Sequence, residues 1–355
     1  MALEIYTTLS STLKQFRVVK LLPGSSTIEC TLRIDSLLRG TTSVGYEALS
    51  YEWGDTDSPM HEIILQGKHF RVRENLWMAL RSLRASRYHK AEFWIDAICI
   101  NQDNISERNQ QVAMMGDIFR EASSVRVWLG GDGRNEHESY VKDAFGLVKN
   151  WFSLSDERAK ELLSKQAKAQ KKWEALAFLL GRTYWTRLWI VQEYLSAREV
   201  AIHYGRHSFD NRYSSDDWWR FGNFDEGLSG IARIKSNHPG LPPYLPEILE
   251  RIKASPGMRI SKARLEGGHP TLLELLETCK ASKSSVPHDR IYALLGVASD
   301  ISEGSIPVDY DRSIFKVKMD VAWFIQSRPK HIPGMVRRVC SILDETFADV
   351  EEESD

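Results

Sequence analysis

The run Phe93-Trp94-Ile95-Asp96-Ala97-Ile98-Cys99-Ile100 constrains this chain more than any other feature. A stretch of that length with one polar residue, bounded by polar loops, reads as a buried strand. It ends at Asn101-Gln102-Asp103-Asn104. A helix follows, with Ser106 placed to cap it and Val112, Met115, Ile118, Phe119 and Ala122 on its inner face. Ser124–Leu129 is the next strand, closed by Gly130-Gly131-Asp132-Gly133. Upstream, the apolar Tyr46–Tyr51 enters the loop Trp53-Gly54-Asp55. Asn75 then caps a helix through Leu83, with Leu76, Ala79, Leu80 and Leu83 at helical spacing. Strand, helix, strand, helix, strand is the order of an α/β domain with a parallel sheet.

The remaining segments elaborate that core. Residues 1–45 read as extra strands packed on it, with Pro23-Gly24 as a turn between them. His61–Val72 reads as a hairpin turning at Gln66-Gly67-Lys68, and Glu199–Tyr204 as one more strand. The α/β core thus spans residues 46–205. Residues 206–345 form a mainly helical extension of the same domain, with loops and short helices over 210–270 and a last helix over 313–327. Residues 346–355 are an acidic tail of disordered composition.

Composition excludes several functions. The formal net charge is −1, where a nucleic-acid binder shows a basic balance or stripe. The densest basic run, Lys165–Lys172, lies beside Glu157, Glu161 and Glu174 and reads as a solvated helix face. Cys30, Cys99, Cys279 and Cys340 are far apart and form neither disulfide nor zinc spacing, which fits a reducing compartment. No basic start precedes an apolar stretch at Met1, and no run approaches the roughly 20 apolar residues of a membrane helix. The expectation is therefore a cytoplasmic chain without membrane or nucleic-acid contact. His203 and His207 lack a third ligand, so no metal is expected. Gly130–Gly133 lacks the Lys-Ser/Thr of a P-loop, and Ser50 sits in no Gly-x-Ser-x-Gly setting.

Four segments carry a family resemblance. They are Tyr46-Glu-Ala-Leu-Ser-Tyr-Glu-Trp-Gly-Asp55; Phe93–Gln102, continuing through Glu107-Arg108 and Gln111-Val112 to Val127–Gly130; Arg182-Thr-Tyr-Trp-Thr-Arg-Leu-Trp-Ile-Val-Gln-Glu193; and Asp289-Arg-Ile-Tyr-Ala-Leu-Leu-Gly296 with Val308-Asp-Tyr310. In that order they resemble the fungal HET (heterokaryon incompatibility) domain. That resemblance implies a programmed cell-death effector of self/non-self recognition, a form of innate immunity. HET domains are in turn similar to TIR domains, which implies a flavodoxin-like, mostly parallel sheet with flanking helices. Tyr46–Tyr51 and Gly54-Asp55 loosely match the opening TIR strand, and Asp96 the acidic residue before a mobile loop. Trp189 and Glu193 match the Trp and the Glu four residues on, with Ile190 where TIR domains usually carry Cys.

Many TIR domains cleave NAD with that Glu. The resemblance therefore implies an NAD glycohydrolase with NAD as substrate, no cofactor, and self-association on activation. Glu193 is the catalytic candidate, and Ser50, Tyr51, Trp53, Gly54, Asp55, Asp96, Asn101, Gln102 and Trp189 are the substrate-binding candidates. Loops leaving parallel strands at their carboxyl ends are where such folds bind ligands. Each residue also has a structural reading. Glu193 can pair with Arg182 or Arg187, Trp189 can be core, and Asp96 can be a buried carboxylate partnered by Arg108 or backbone amides. The competing function is a non-catalytic adaptor working through homotypic contacts, a nucleotide-binding receptor or an allelic incompatibility partner. Trp218-Trp219 is its candidate anchor.

Overall fold

The computed structural model describes residues 5–24, 27–38, 45–85, 91–131, 138–150, 167–210, 224–236, 240–268, 270–302, 304–327 and 341–344. The readings of Trp218-Trp219 and of the acidic tail fall outside them. Within them a nine-stranded sheet runs β5-β4-β2-β1-β6-β3-β7-β8-β9. Its strands are β1 Gln15–Leu21, β2 Glu29–Ser36, β3 Glu47–Tyr51, β4 Met60–Leu65, β5 Lys68–Arg73, β6 Glu92–Trp94, β7 Val125–Trp128, β8 Val200–Tyr204 and β9 His207–Phe209.

At its centre β6, β3, β7 and β8 are mutually parallel. Taken in chain order these four stand as second, first, third and fourth, the strand order of a flavodoxin-like sheet. All five residues of β3 and all four of β7 are buried, as strands covered on both faces must be. The N-terminal strands join this same sheet, β1 pairing antiparallel with β6 through Val19↔Phe93. The hairpin turns where expected, with Gln66 and Gly67 both at positive φ and its strands paired from Met60↔Arg73 to Leu65↔Lys68.

The eight-residue strand expected over 93–100 is replaced by a shorter one. Only Glu92–Trp94 pairs, and Asp96–Cys99 turns into a short helix, α2. Ile98 and Cys99 stay buried all the same. A continuous apolar run reports burial, which strand and helix share. Two caps also differ from expectation. Helix α1 (Glu74–Ala85) starts before Asn75, whose amide donates to Glu52 O and accepts from Trp128 Nε1. Asn104, not Ser106, caps α3 (Ile105–Glu121) by accepting from Glu107 N.

Helices α4 (Glu138–Asn150), α5 (Ala167–Leu180) and α6 (Ile190–Leu195) precede β8. Lys168 and Lys171 are exposed on α5, the solvated face expected there. The segment beyond β9 is more helical than its Gly and Pro content suggests, forming α7 (Phe224–Ala232), α8 (Leu245–Ala254) and α9 (Pro256–Glu266). Then come α10 (Leu272–Thr278), α11 (Asp289–Leu295) and α12 (Ile314–Gln326). Pro at the first turn of α8 and α9 costs no helical hydrogen bond there. Cys30, Cys99 and Cys279 are free thiols.

Candidate functional site

The carboxyl end of β3 is where most of the candidates meet. Ser50 Oγ donates to a carboxylate oxygen of Glu193 and shares a 2.6 Å hydrogen bond with the Tyr184 hydroxyl. Tyr51 follows it in the strand, and successive strand side chains leave on opposite faces. Glu193 thus meets β3 at Ser50, while Tyr51 lines the neighbouring cleft with Trp53. Trp53 Nε1 donates to Asp96 at 2.7 Å, and Ala97 N donates to the other carboxylate oxygen at 2.7 Å. Arg187 Nη1 donates to Tyr51 O, anchoring the strand end.

The two carboxylates are electrostatically coupled. Burial pushes the Glu193 carboxyl up to about 7, against the opposing pull of Arg187, and Asp96 pushes it further the same way. Asp96 is also raised by burial, opposed by Trp53 and Arg187. The hydroxyls of Tyr51 and Tyr184 are raised chiefly by burial, and the carboxylates add to it. Among the described residues no cation stands within ion-pair distance of Glu193. A carboxylate so enclosed and so weakly compensated spends much of its time protonated near neutral pH.

Beside this cluster lies a cleft of about 270 Å³ lined by Tyr51, Trp53, Asn101, Gln102, Asp103 and the β5 residues Phe70 to Arg73, among others. Its loop wall is tied down from behind. Arg17 binds Glu107 through two hydrogen bonds of 2.6 and 3.0 Å, and Glu107 accepts from Asn101 N at 2.7 Å. Gln102 donates to Asp96 O at 3.1 Å. On the facing wall Arg73 donates to Gly54 O at 2.7 Å and lies 5.9 Å from the Trp53 ring centre.

The candidates therefore divide. Ser50 joins Glu193; Tyr51, Trp53, Asn101 and Gln102 line the cleft; Asp96 holds Trp53 at its floor. Glu193 is 4% exposed and does not line the cleft. Gly54, at φ 80°, shapes the loop and lends its carbonyl to Arg73. Asp55 is exposed in that loop and lies outside the lining. Trp189 sits one turn before Glu193, whose N donates to Trp189 O at 3.1 Å. Its indole does not line the cleft and donates to Asp289 Oδ2 at 2.9 Å, while Tyr310 donates to the other carboxylate oxygen, Oδ1, at 2.7 Å. Nor does Arg108 partner Asp96; its guanidinium lies over the Tyr310 ring. Arg182 turns to Leu129 O. His203 contacts Arg126 at 3.0 Å. Among the described residues no metal-holding group of His, Cys, Asp or Glu occurs. The reading of the sequence missed Tyr184, Asp103 and the β5 arginines; for Arg71 and Arg73 the available signal was a polar, basic strand face opposite the Trp53 loop.

Residues 46–193 match the family described as "Heterokaryon incompatibility protein (HET)". A Neurospora crassa relative, "Heterokaryon incompatibility protein 6, OR allele", is 29% identical over 312 residues, covering 76% of this chain and 45% of its own length. The chain thus spans less than half the length of that relative. No solved structure matches, and no described helix is long and apolar enough to cross a membrane. The matched stretch opens on Tyr46 at the head of β3 and closes on Glu193 itself. Over that stretch the chain matches the heterokaryon-incompatibility (HET) domain family.

Proposed function

We propose that this chain acts in heterokaryon incompatibility as a cell-death effector, and that it does so by hydrolysing NAD when it assembles. The observation behind this reading is the Ser50–Glu193–Tyr184 cluster at the carboxyl ends of parallel strands, with a carboxyl raised to about 7 by burial. Such groups concentrate at functional sites. Cleavage of the nicotinamide–ribose bond passes through an oxocarbenium-like state, as in glycoside hydrolysis. Water attacks the ribose C1′ as the C1′–N bond breaks. The bonding pair goes to the ring nitrogen, nicotinamide leaves neutral, and the water proton is released with ADP-ribose. The Glu193 carboxylate supplies negative charge beside the developing cation and accepts from ribose hydroxyls. With only 4% of Glu193 exposed, the single chain is the closed, resting form, and assembly opens the way from the cleft.

The test is nicotinamide release from NAD by dilute and by concentrated or crowded protein. Release should appear on concentration, rise with pH through about 7 as the carboxylate forms, and fall at least a hundredfold in Glu193→Gln. No release under any condition, or equal release by the variant, favours a non-catalytic adaptor. That second reading has its own support in Phe315, Met319 and Trp323. These form a strip four residues apart on α12, 71%, 55% and 70% exposed, the pattern of a helix presenting anchors to a partner or receptor.

A further inference from the structure

We propose that the cleft between the β5 strand and the Asn101–Asp103 loop is a nucleoside-phosphate site, with Arg71 as its phosphate-binding residue. This rests on the NAD reading above and names the group by which the dinucleotide would be held.

The lining supplies three kinds of recognition at once. Aromatic rings come from Tyr6, Trp53 and Phe70, offering flat apolar surface to a base. The Trp53 ring is fixed by its hydrogen bond to Asp96 at one edge and by Arg73, 5.9 Å away. Unengaged polar groups come from Arg71, Asn101 and Asp103. Among the described residues none of these three side chains makes a hydrogen bond or ion pair, although all three line the cleft. Arg71 has an obvious carboxylate opposite it in the hairpin register, Glu62. That carboxylate is taken by His69 at 2.7 Å. The Arg71 guanidinium is therefore left exposed and uncompensated at the mouth, where a planar fork of donors suits a phosphate.

The third element is placement of the loop wall. Asn101 and Asp103 are presented by a loop whose backbone is held from behind by the buried Arg17–Glu107 pair. An Asn amide and an Asp carboxylate lining the same cleft as Arg71 and the aromatic rings can bind ribose hydroxyls or base edges while the arginine takes the phosphate. The volume, about 270 Å³, lies just under the usual range of small-molecule sites. It suits one nucleoside-phosphate half of a dinucleotide, leaving the other half to reach toward Ser50 and Glu193. Concave apolar surface with a few convergent polar groups is what such sites require.

ADP is the probe, because it carries the base, ribose and phosphates without a nicotinamide bond to cleave. Equilibrium dialysis of the full chain should show saturable ADP binding. Arg71→Ala, folded by circular dichroism, should bind ADP about tenfold more weakly, while its binding of adenosine is unchanged. Asp103→Ala should weaken both ligands. Absence of saturable ADP binding, or equal ADP affinity in Arg71→Ala, overturns the site. Nicotinamide release plays no part in this measurement, so ADP binding with no NAD cleavage would sink the enzymatic reading and leave the site standing.

Discussion

Glu193 shows what one residue costs its fold. Its carboxyl rises from an ordinary 4.5 to about 7 because burial disfavours the charge. The folded state therefore binds a proton more tightly than the unfolded chain does. Stability from this group is fullest below about 4.5 and is lost as pH climbs through about 7. Glu193→Gln has no such dependence. Its stability by urea unfolding should gain on the wild type between pH 5 and 8 by about 2 kcal/mol; a difference that stays flat with pH would mean that the carboxyl is not held protonated. The same residue marks how far a sequence reveals a site. Ser50, Tyr51, Trp53, Asn101 and Gln102 were legible because each lies at the end of an apolar run or in the polar loop after it, and strand ends in a parallel sheet converge; Asp96, inside such a run, was legible only through the TIR resemblance. Tyr184 sits 134 residues from Ser50, with no periodic signal tying the two together. Trp189 stands one turn from Glu193 as the spacing implies, its O accepting from Glu193 N at 3.1 Å, but its indole's bond to Asp289, 100 residues on, leaves no signal in that spacing.

At the scale of elements, α3 and the end of α11 come into close backbone contact, and the Gln192 side chain of α6 packs against them. Helices α3 and α11 meet at Gly116 and Gly296: a Cβ on Gly116 would stand 2.8 Å from Gly296 Cα, and one on Gly296 would stand 2.7 Å from Gln192 Cδ on α6. These glycines are conformationally ordinary; their value is the absence of a side chain where three helices touch. Gly116→Ala has backbone, not a flexible tip, as its obstacle, so α3 and α11 must separate. Overpacking of this kind costs about 2 kcal/mol. Urea unfolding of Gly116→Ala should show that loss; a change under about 0.5 kcal/mol would mean that the crossing yields freely. The existence of α3 was plain from its apolar period, whereas a helix–helix crossing leaves no period of its own. The α2 turn was hidden for a related reason. Ile95, Ile98, Cys99 and Ile100 are buried in the helical turn as they would be in a strand, and backbone pairing rather than burial decides strand from helix there.

For the whole molecule, the family match ends inside α6, yet residues beyond it hold that helix in place. Tyr194 donates to Asp225 at 2.6 Å, Arg264 donates to Tyr194 O at 2.6 Å, Trp189 to Asp289 at 2.9 Å, and Leu188 N to Lys283 O at 2.8 Å. The apolar core is likewise continuous, running from Phe16 on β1 to Val317 and Val321 on α12. Helix α5 buries Trp173, Leu176 and Leu180, while Leu245, Ile248, Leu249 and Ile252 of α8 are buried in turn. A Cβ on Gly257 would stand 2.9 Å from Leu180 O, so α9 packs directly on the end of α5. Stripping residues 224–344 would return several such side chains to water at about 2 kcal/mol each. That approaches the whole stability of an ordinary domain, roughly 5–15 kcal/mol. A chain ending at 223 should therefore aggregate or lose its near-ultraviolet circular dichroism, whereas the full chain should unfold in one cooperative transition. A soluble fragment with native spectra and its own transition would show that the HET stretch and the C-terminal helices are separate folding units, and that α6 needs no support from beyond its own end.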